Sequence, residues 1–172
     1  MMKRLLLAAA VSLLTAGSAM AQTVVLVRHA EKVDASADPA LSEAGQARAQ
    51  ALSEALADMH PVLVLTSPLQ RTRLTAAPTA GYHSAPVEAV SLEGGGAAHV
   101  AATVARVRAL PDDAVVLIVG HSNTVPLIAR ALGYAEAADM PECEYDRMTV
   151  LHLMGDAAHG EVGRYGTPTS CD

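Results

Sequence analysis

Apolar residues along the chain fall into short, separated runs. Three of them, residues 23–27, 62–65 and 114–119, are nearly unbroken stretches of Val, Leu and Ile. A strand covered on both faces reads this way, because neither set of alternating side chains meets water, and that is the pattern of a parallel sheet. A weaker run at residues 87–90 is a fourth strand, and residues 148–154 and 161–165 read as two more after an irregular stretch. Between the strands the apolar period becomes helical. Ser42 can cap a helix reaching to about residue 58, with Ala44, Ala47, Ala51, Leu52, Ala55 and Leu56 on one stripe. Pro68 suits the first turn of a second helix, to about residue 77. A third covers residues 97–110, with Val100, Val104 and Val107 at helical spacing. A fourth covers residues 123–132, with Pro126 in its first turn and Gly133 just past its end. Strands alternating with helices predict a single α/β domain with a mostly parallel central sheet and right-handed crossovers. Residues 32–40, rich in Asp, Ala and Pro, read as an exposed flap.

The amino-terminal 21 residues follow a different pattern. Lys3 and Arg4 precede an apolar run over residues 5–14, and Ala19-Met20-Ala21 is a small-x-small cleavage site before Gln22. This is the pattern of a cleaved signal peptide, and the run breaks at Thr15, Gly17 and Ser18, short of the roughly 20 apolar residues a membrane span needs. The expectation is therefore a leader at residues 1–21 and a domain at residues 22–172, periplasmic or secreted, with no membrane span after cleavage. In such an oxidising compartment Cys143 and Cys171 can pair, closing a loop worth about 3–4 kcal/mol in the chain-entropy account.

Composition narrows the function classes. Aromatic residues make up 2% of the chain, which removes stacking platforms for single-stranded nucleic acid, and a net charge of −6 argues against a phosphate-tracking surface. Nucleic acid is not the expected partner.

The chemistry gathers after the strands. Arg28 and His29 follow the first, and Ser67 follows the second with Arg71 one helical turn on. Glu93 follows the third, and Gly120 and His121 follow the fourth. In open α/β sheets ligands bind at the carboxyl ends of the strands, so two imidazoles, two guanidiniums and a carboxylate are expected on one rim. Guanidiniums clamp phosphate oxygens in pairs of hydrogen bonds. An imidazole is a nucleophile for phosphorus near neutral pH, and a carboxylic acid can protonate a leaving oxygen. The pattern points to phosphoryl chemistry.

The same segments resemble the signatures of the histidine phosphatase superfamily. Arg28-His29-Ala30-Glu31-Lys32 is similar to its Arg-His-Gly or Arg-His-Ala block. Asp38-Pro39-Ala40-Leu41-Ser42-Glu43-Ala44-Gly45 is similar to its Leu-Ser/Thr-x-x-Gly helix start. Thr66-Ser67-Pro68-Leu69-Gln70-Arg71-Thr72 resembles its second arginine block, and Val119-Gly120-His121-Ser122-Asn123 its second histidine block. The resemblance covers residues 23 to about 132. With no inserted cap domain, the chain is similar to the small branch of the superfamily. It implies a three-layer α/β/α sandwich needing neither metal nor organic cofactor. It also implies that His29 is the nucleophile that becomes phosphohistidine, with Arg28, Arg71 and His121 completing the phosphate pocket. Glu93 best fits the position of the acid, with Glu31 and Asp34 as competitors from the flap.

The activity this implies is hydrolysis of small phosphomonoesters, with an envelope sugar phosphate among the candidate substrates. A protein phosphohistidine phosphatase and a non-catalytic phosphate-binding protein are the alternatives. Ser122 is not a hydrolase-elbow nucleophile, since Thr124 stands where Gly-x-Ser-x-Gly requires glycine. Gly94–Gly96 lack the lysine of a P-loop. His60, His83, His99, His152 and His159 have no metal-ligand spacing. Ser67 reads as a helix cap. Substrate specificity is expected from the loops at residues 32–40, 81–86, 93–98 and 135–145.

Overall fold

The computed structural model describes residues 21–171, so the expected leader, apart from Ala21, lies outside the described residues. The elements follow in the order β1 (Gln22–Arg28), α1 (Glu43–Ala55), β2 (Leu63–Thr66), α2 (Gln70–His83), β3 (Val87–Ala89), α3 (Gly95–Arg108), β4 (Val115–Gly120), α4 (Val125–Ala131), β5 (Arg147–Met154) and β6 (Ala157–Arg164). They form one six-stranded sheet in the order β3-β2-β4-β1-β5-β6. The first four strands pair in parallel, and β5 and β6 run antiparallel at one side.

The continuous apolar runs are explained by the two faces of this sheet. Val24, Leu26, Val116 and Ile118 pack with Val100, Val107, Ile128 and Leu132 from α3 and the α4 region. Their alternates, Val25, Val27, Leu117 and Val119, pack with Leu52, Leu56, Ala76 and Ala80 from α1 and α2. Each central strand buries both sets of side chains, giving the three-layer α/β/α sandwich. Among the described residues no helix is long and apolar enough to cross a membrane.

The register levels the strand ends that carry the chemistry. Arg28 of β1 sits beside Gly120 of β4, and Thr66 of β2 beside Val119. The residues that follow therefore leave the sheet at nearly the same height.

Several boundaries differ from the pattern-based expectation, two of them by more than three residues, and α2 starts at Gln70, so Pro68 precedes the helix instead of standing in its first turn. Helix α2 does not stop near residue 77 but runs through Pro78 to His83. Proline removes one backbone hydrogen bond at a cost of about 3 kcal/mol. The orphaned carbonyl belongs to Leu74, on the exposed side, while Ala76, Thr79 and Ala80 bury the opposite side against the sheet. Packing carries the helix past its breaker. Strand β6 begins at Ala157 rather than residue 161, because it is the second arm of a hairpin whose two-residue turn starts at Gly155, with φ +64°. A glycine at that position suits the right-handed twist of the pair. As an exposed edge strand rich in Gly and polar residues, β6 has no apolar run to announce it.

Cys143 and Cys171 are joined by a disulfide. It ties the loop before β5 to the carboxyl-terminal segment.

Candidate active site

His29 is the first residue beyond β1, and its N–H extends the ladder by donating to the Gly120 carbonyl at 2.9 Å. His121 is the first residue beyond β4. The two rings meet edge to face, with centroids 5.3 Å apart. Around them is a cavity of about 420 Å³ at the carboxyl ends of the strands, lined by Arg28, Arg71, Lys32, Ser122 and Glu142 as well as both histidines. A larger cavity, about 590 Å³, lies where β1 begins and is lined by Gln22, Arg108 and Met154. It brings no nucleophile or imidazole together, so the chemistry belongs to the smaller one.

Hydrogen bonding sets the state of His29. Its Nδ1 is 2.8 Å from the Ala30 carbonyl oxygen. A carbonyl only accepts, so Nδ1 carries the proton and Nε2 the lone pair. Ala30 is itself held, its N–H donating to Thr75 Oγ1 at 2.9 Å. Burial lowers the His29 pKa to about 4, assisted by the charges of Arg28, Arg71 and Lys32 and opposed by the Ala30 hydrogen bond. Burial, with His29 and Arg71 nearby, lowers His121 to about 3. Both imidazoles are neutral at physiological pH. His121 Nε2 lies 3.0 Å from the Ser67 hydroxyl, which lies 3.0 Å from Thr72 Oγ1. Ser67 also accepts from the Leu69 N–H at 3.3 Å in the turn before α2, but the N-cap is Leu69 and has no side-chain cap, so the residue read as a cap instead supports the second histidine.

The cations are held in different ways. Arg28 is 2% exposed. Its Nη1 donates to the carbonyls of Pro141, Glu142 and Glu144, and its Nη2 to the Glu142 carboxylate at 2.6 Å. The Tyr145 ring lies under the guanidinium, 4.2 Å from centroid to Cζ. Arg71 donates from Nη1 to the Ala37 carbonyl at 3.3 Å and lies 3.9 Å from Asp38. Asp38 accepts from the Gln70 N–H at 2.8 Å, so the exposed flap is fastened to the start of α2. The Nε atoms of both Arg28 and Arg71 are buried without a partner. Two guanidiniums and the Lys32 ammonium around one cavity can attract an anion.

The three carboxylates weighed for the acid position have different settings. Glu93 is exposed, with Leu92, Gly95 and Gly96 lining the cavity around it. Its N–H is turned to Ser91 Oγ at 3.0 Å. Glu31 is paired with Arg48, with contacts of 2.7 to 2.9 Å. Asp34 caps the N–H of Ser36 on the flap. The carboxylate that lines the cavity is Glu142, which bridges Arg28 and the Ser122 hydroxyl. The Ser122 hydrogen bond, with the charge of Arg28, holds its pKa below the usual carboxylate range. Glu142 and Tyr145 come from the irregular stretch before β5, where no motif marks them. Only the general expectation that the loop at residues 135–145 contributes to specificity pointed there.

The sequence model of the histidine phosphatase superfamily (branch 1) matches residues 24–91. A 48-residue segment is 52% identical to the uncharacterized protein Rv0525 of Mycobacterium tuberculosis (strain ATCC 25618 / H37Rv). That segment is 28% of this chain and 24% of Rv0525, about a quarter of the relative's length. Among solved structures, a proposed phosphohistidine phosphatase SixA from Nakamurella multipartitia is 30% identical, with a TM-score of 0.61, over 86% of this chain and 96% of that one. SixA complexed with tungstate has a TM-score of 0.64 at 19% identity, covering 81% of this chain and 94% of that one. A proposed alpha-ribazole-5'-P phosphatase from Escherichia coli (str. K-12 substr. MG1655) has a TM-score of 0.66 at 20% identity, covering 84% and 96%. The last two share the fold.

Proposed function

The chain belongs to the histidine phosphatase superfamily, and from that premise we propose that it hydrolyses phosphomonoesters through a phosphohistidine on His29. The observation that carries this reading is the His29–His121 pair, 5.3 Å between ring centroids, with the His29 Nδ1 proton committed to Ala30. His29 Nε2 attacks phosphorus in line. The P–N bond forms as the P–O bond to the leaving alcohol breaks, and the departing oxygen takes a proton from the Glu93 carboxyl. Water then attacks phosphorus and gives a proton back to the Glu93 carboxylate, the P–N electron pair returns to Nε2, and inorganic phosphate leaves. Arg28, Arg71 and His121 hold the equatorial oxygens, where charge spread over three atoms is stabilised by donors fixed in advance. The proton-donor role of Glu93 is supported by its place in the turn after β3, where Leu92, Gly95 and Gly96 line the cavity around it.

One observation favours a second reading. Glu142, the carboxylate lining the cavity, is held ionised by Ser122 and Arg28, so it is a poor proton donor. Phosphohistidine needs little such help, because its imidazole leaves neutral once the ring is protonated. With the 30% identity to a proposed phosphohistidine phosphatase, this supports dephosphorylation of a protein phosphohistidine as the alternative. The pattern at residues 1–21 supports export to the periplasm or outside the cell, where a small phosphorylated metabolite such as an envelope sugar phosphate is the nearer substrate.

Rapid quench with a radiolabelled phosphomonoester tests the mechanism. Acid-labile, alkali-stable label should appear on the wild-type protein and be absent from His29→Ala, which should not turn over. Equal turnover by His29→Ala would end the reading.

A further inference from the structure

We infer that Glu142 is an internal competitor for the phosphate subsite: its carboxylate occupies Arg28 and Ser122 in the free protein, and a phosphoryl group binds by displacing it. The inference rests on the phosphatase reading and adds a determinant of affinity to the same site. The two carboxylate oxygens are divided between two donors of the cavity, Oε2 on Arg28 Nη2 at 2.6 Å and Oε1 on the Ser122 hydroxyl. Two oxygens of a phosphoryl group would make the same demand on the same donors. A dianion cannot share the cavity with an adjacent carboxylate without like-charge repulsion, so one of them must leave.

The structure provides for that exit. The Glu142 side chain is 81% exposed although it touches an Arg that is 2% exposed, so it can turn into solvent without opening a core. The backbone beneath it cannot follow. Arg28 Nη1 is hydrogen-bonded to the carbonyls of Pro141, Glu142 and Glu144, and Cys143 is bonded to Cys171. Displacement is therefore a side-chain rotation on a pinned loop, and it leaves Arg28 oriented.

A competitor of this kind lowers the apparent affinity for every ligand of the subsite by one factor, the reciprocal of the fraction of molecules in which it is displaced. Inorganic phosphate and tungstate titrated by calorimetry at pH 8 read this out. Glu142→Gln should tighten both by about tenfold, a 1.4 kcal/mol change, and Glu142→Ala should tighten both at least as much. Glu88→Gln, altering the Arg106 pair on β3, should tighten neither. The value of kcat/KM for a phosphomonoester should rise by the same factor in the Glu142 variants. Thermal melts establish that each variant is folded. Weaker binding in both Glu142 variants, or tightening of phosphate without tungstate, overturns the competitor. So does a loss of kcat of a hundredfold or more, which would make Glu142 a catalytic group. If wild-type turns over substrate and the variants bind no tighter, only this inference falls. If no protein binds phosphate or turns over, the phosphatase reading falls with it.

Discussion

His29 Nδ1 donates its proton to the carbonyl oxygen of Ala30, the next residue in the chain, at 2.8 Å. The bond is local and needs no second element, but it commits the tautomer and leaves Nε2 as the free lone pair facing the cavity. Burial adds a second condition by lowering the pKa of His29 to about 4. The nucleophile is thus ready throughout the neutral range.

The pH dependence follows. The acid limb of kcat/KM, which reports groups of the free enzyme, should fall near pH 4 rather than near 6.5, once the phosphoryl group's own ionisation near pH 6 is divided out. Stability should move in the same direction. His29 and His121 have folded-state values of about 4 and about 3, below the unfolded value of 6.5. The unfolded chain therefore binds more protons in this window. Their contribution is complete above pH 6.5 and is lost as pH falls through 6.5 towards the folded values. Melting temperatures between pH 8 and pH 4.5 check it: a profile flat across pH 6.5 to 4.5 would contradict the shifts.

Ser67 supports His121 from the end of β2. The Ser67→Ala variant removes the hydroxyl 3.0 Å from His121 Nε2, a loss of about 1 kcal/mol of positioning, so kcat/KM should fall about fivefold. Thr72→Val removes the hydroxyl on the other side of Ser67 and should cost stability more than activity. Steady-state kinetics beside thermal melts separate the two. An unaltered kcat/KM in Ser67→Ala would return the serine to a purely structural role.

The residues that reach the cavity by strand position were legible in the sequence for a physical reason. Val24 to Val27 and Val116 to Val119 are buried on both faces, so the strands appear as unbroken apolar runs, and whatever follows them must lie at the sheet's carboxyl edge. The start of α1 was legible because Ser42 caps it in the ordinary way, accepting from the Gly45 N–H at 3.1 Å. Glu142 was not, because it reaches the cavity from an irregular loop whose placement depends on carbonyls binding Arg28, and carbonyls leave no mark on sequence. Glu93 lies between these cases: the end of β3 places its turn, with Gly94 and Gly95 both at φ +82°, beside the cavity, where Leu92, Gly95 and Gly96 form part of the wall.

The disulfide should matter to both stability and binding. Closing the segment between Cys143 and Cys171 is worth about 3–4 kcal/mol in the chain-entropy account, and its loss should lower the melting temperature by roughly 6–16 °C in a domain of this size. Cys143 lies between the two glutamates whose carbonyls hold Arg28. Cys143→Ser, or reduction of the wild type, should therefore also weaken phosphate binding. Melting with and without reductant, paired with phosphate titration, checks both. A lower melting temperature with unchanged phosphate affinity would mean that the carbonyls hold Arg28 without the bridge.

Arg48 links the chain beyond His29 to the carboxyl terminus. It is 4% exposed and paired with Glu31, and it also donates to the carbonyls of Tyr165 and Thr167 at 3.1 and 2.8 Å. Glycine is required opposite: a Cβ at Gly45 would lie 2.2 Å from the Glu31 carbonyl oxygen, so α1 packs against this backbone directly. Glu31→Gln would leave the buried guanidinium without its counter-charge, a loss of about 3 kcal/mol, whereas replacing both partners by apolar residues of similar size should cost much less. The double variant Arg48→Met, Glu31→Leu tests the distinction. If the pair serves only stability, the double variant should recover most of the melting temperature and keep kcat/KM. If the pair also positions Ala30, the acceptor for His29 Nδ1, stability should recover while kcat/KM stays depressed. The second outcome is expected, because the carbonyl that fixes the tautomer of His29 belongs to the residue immediately before Glu31.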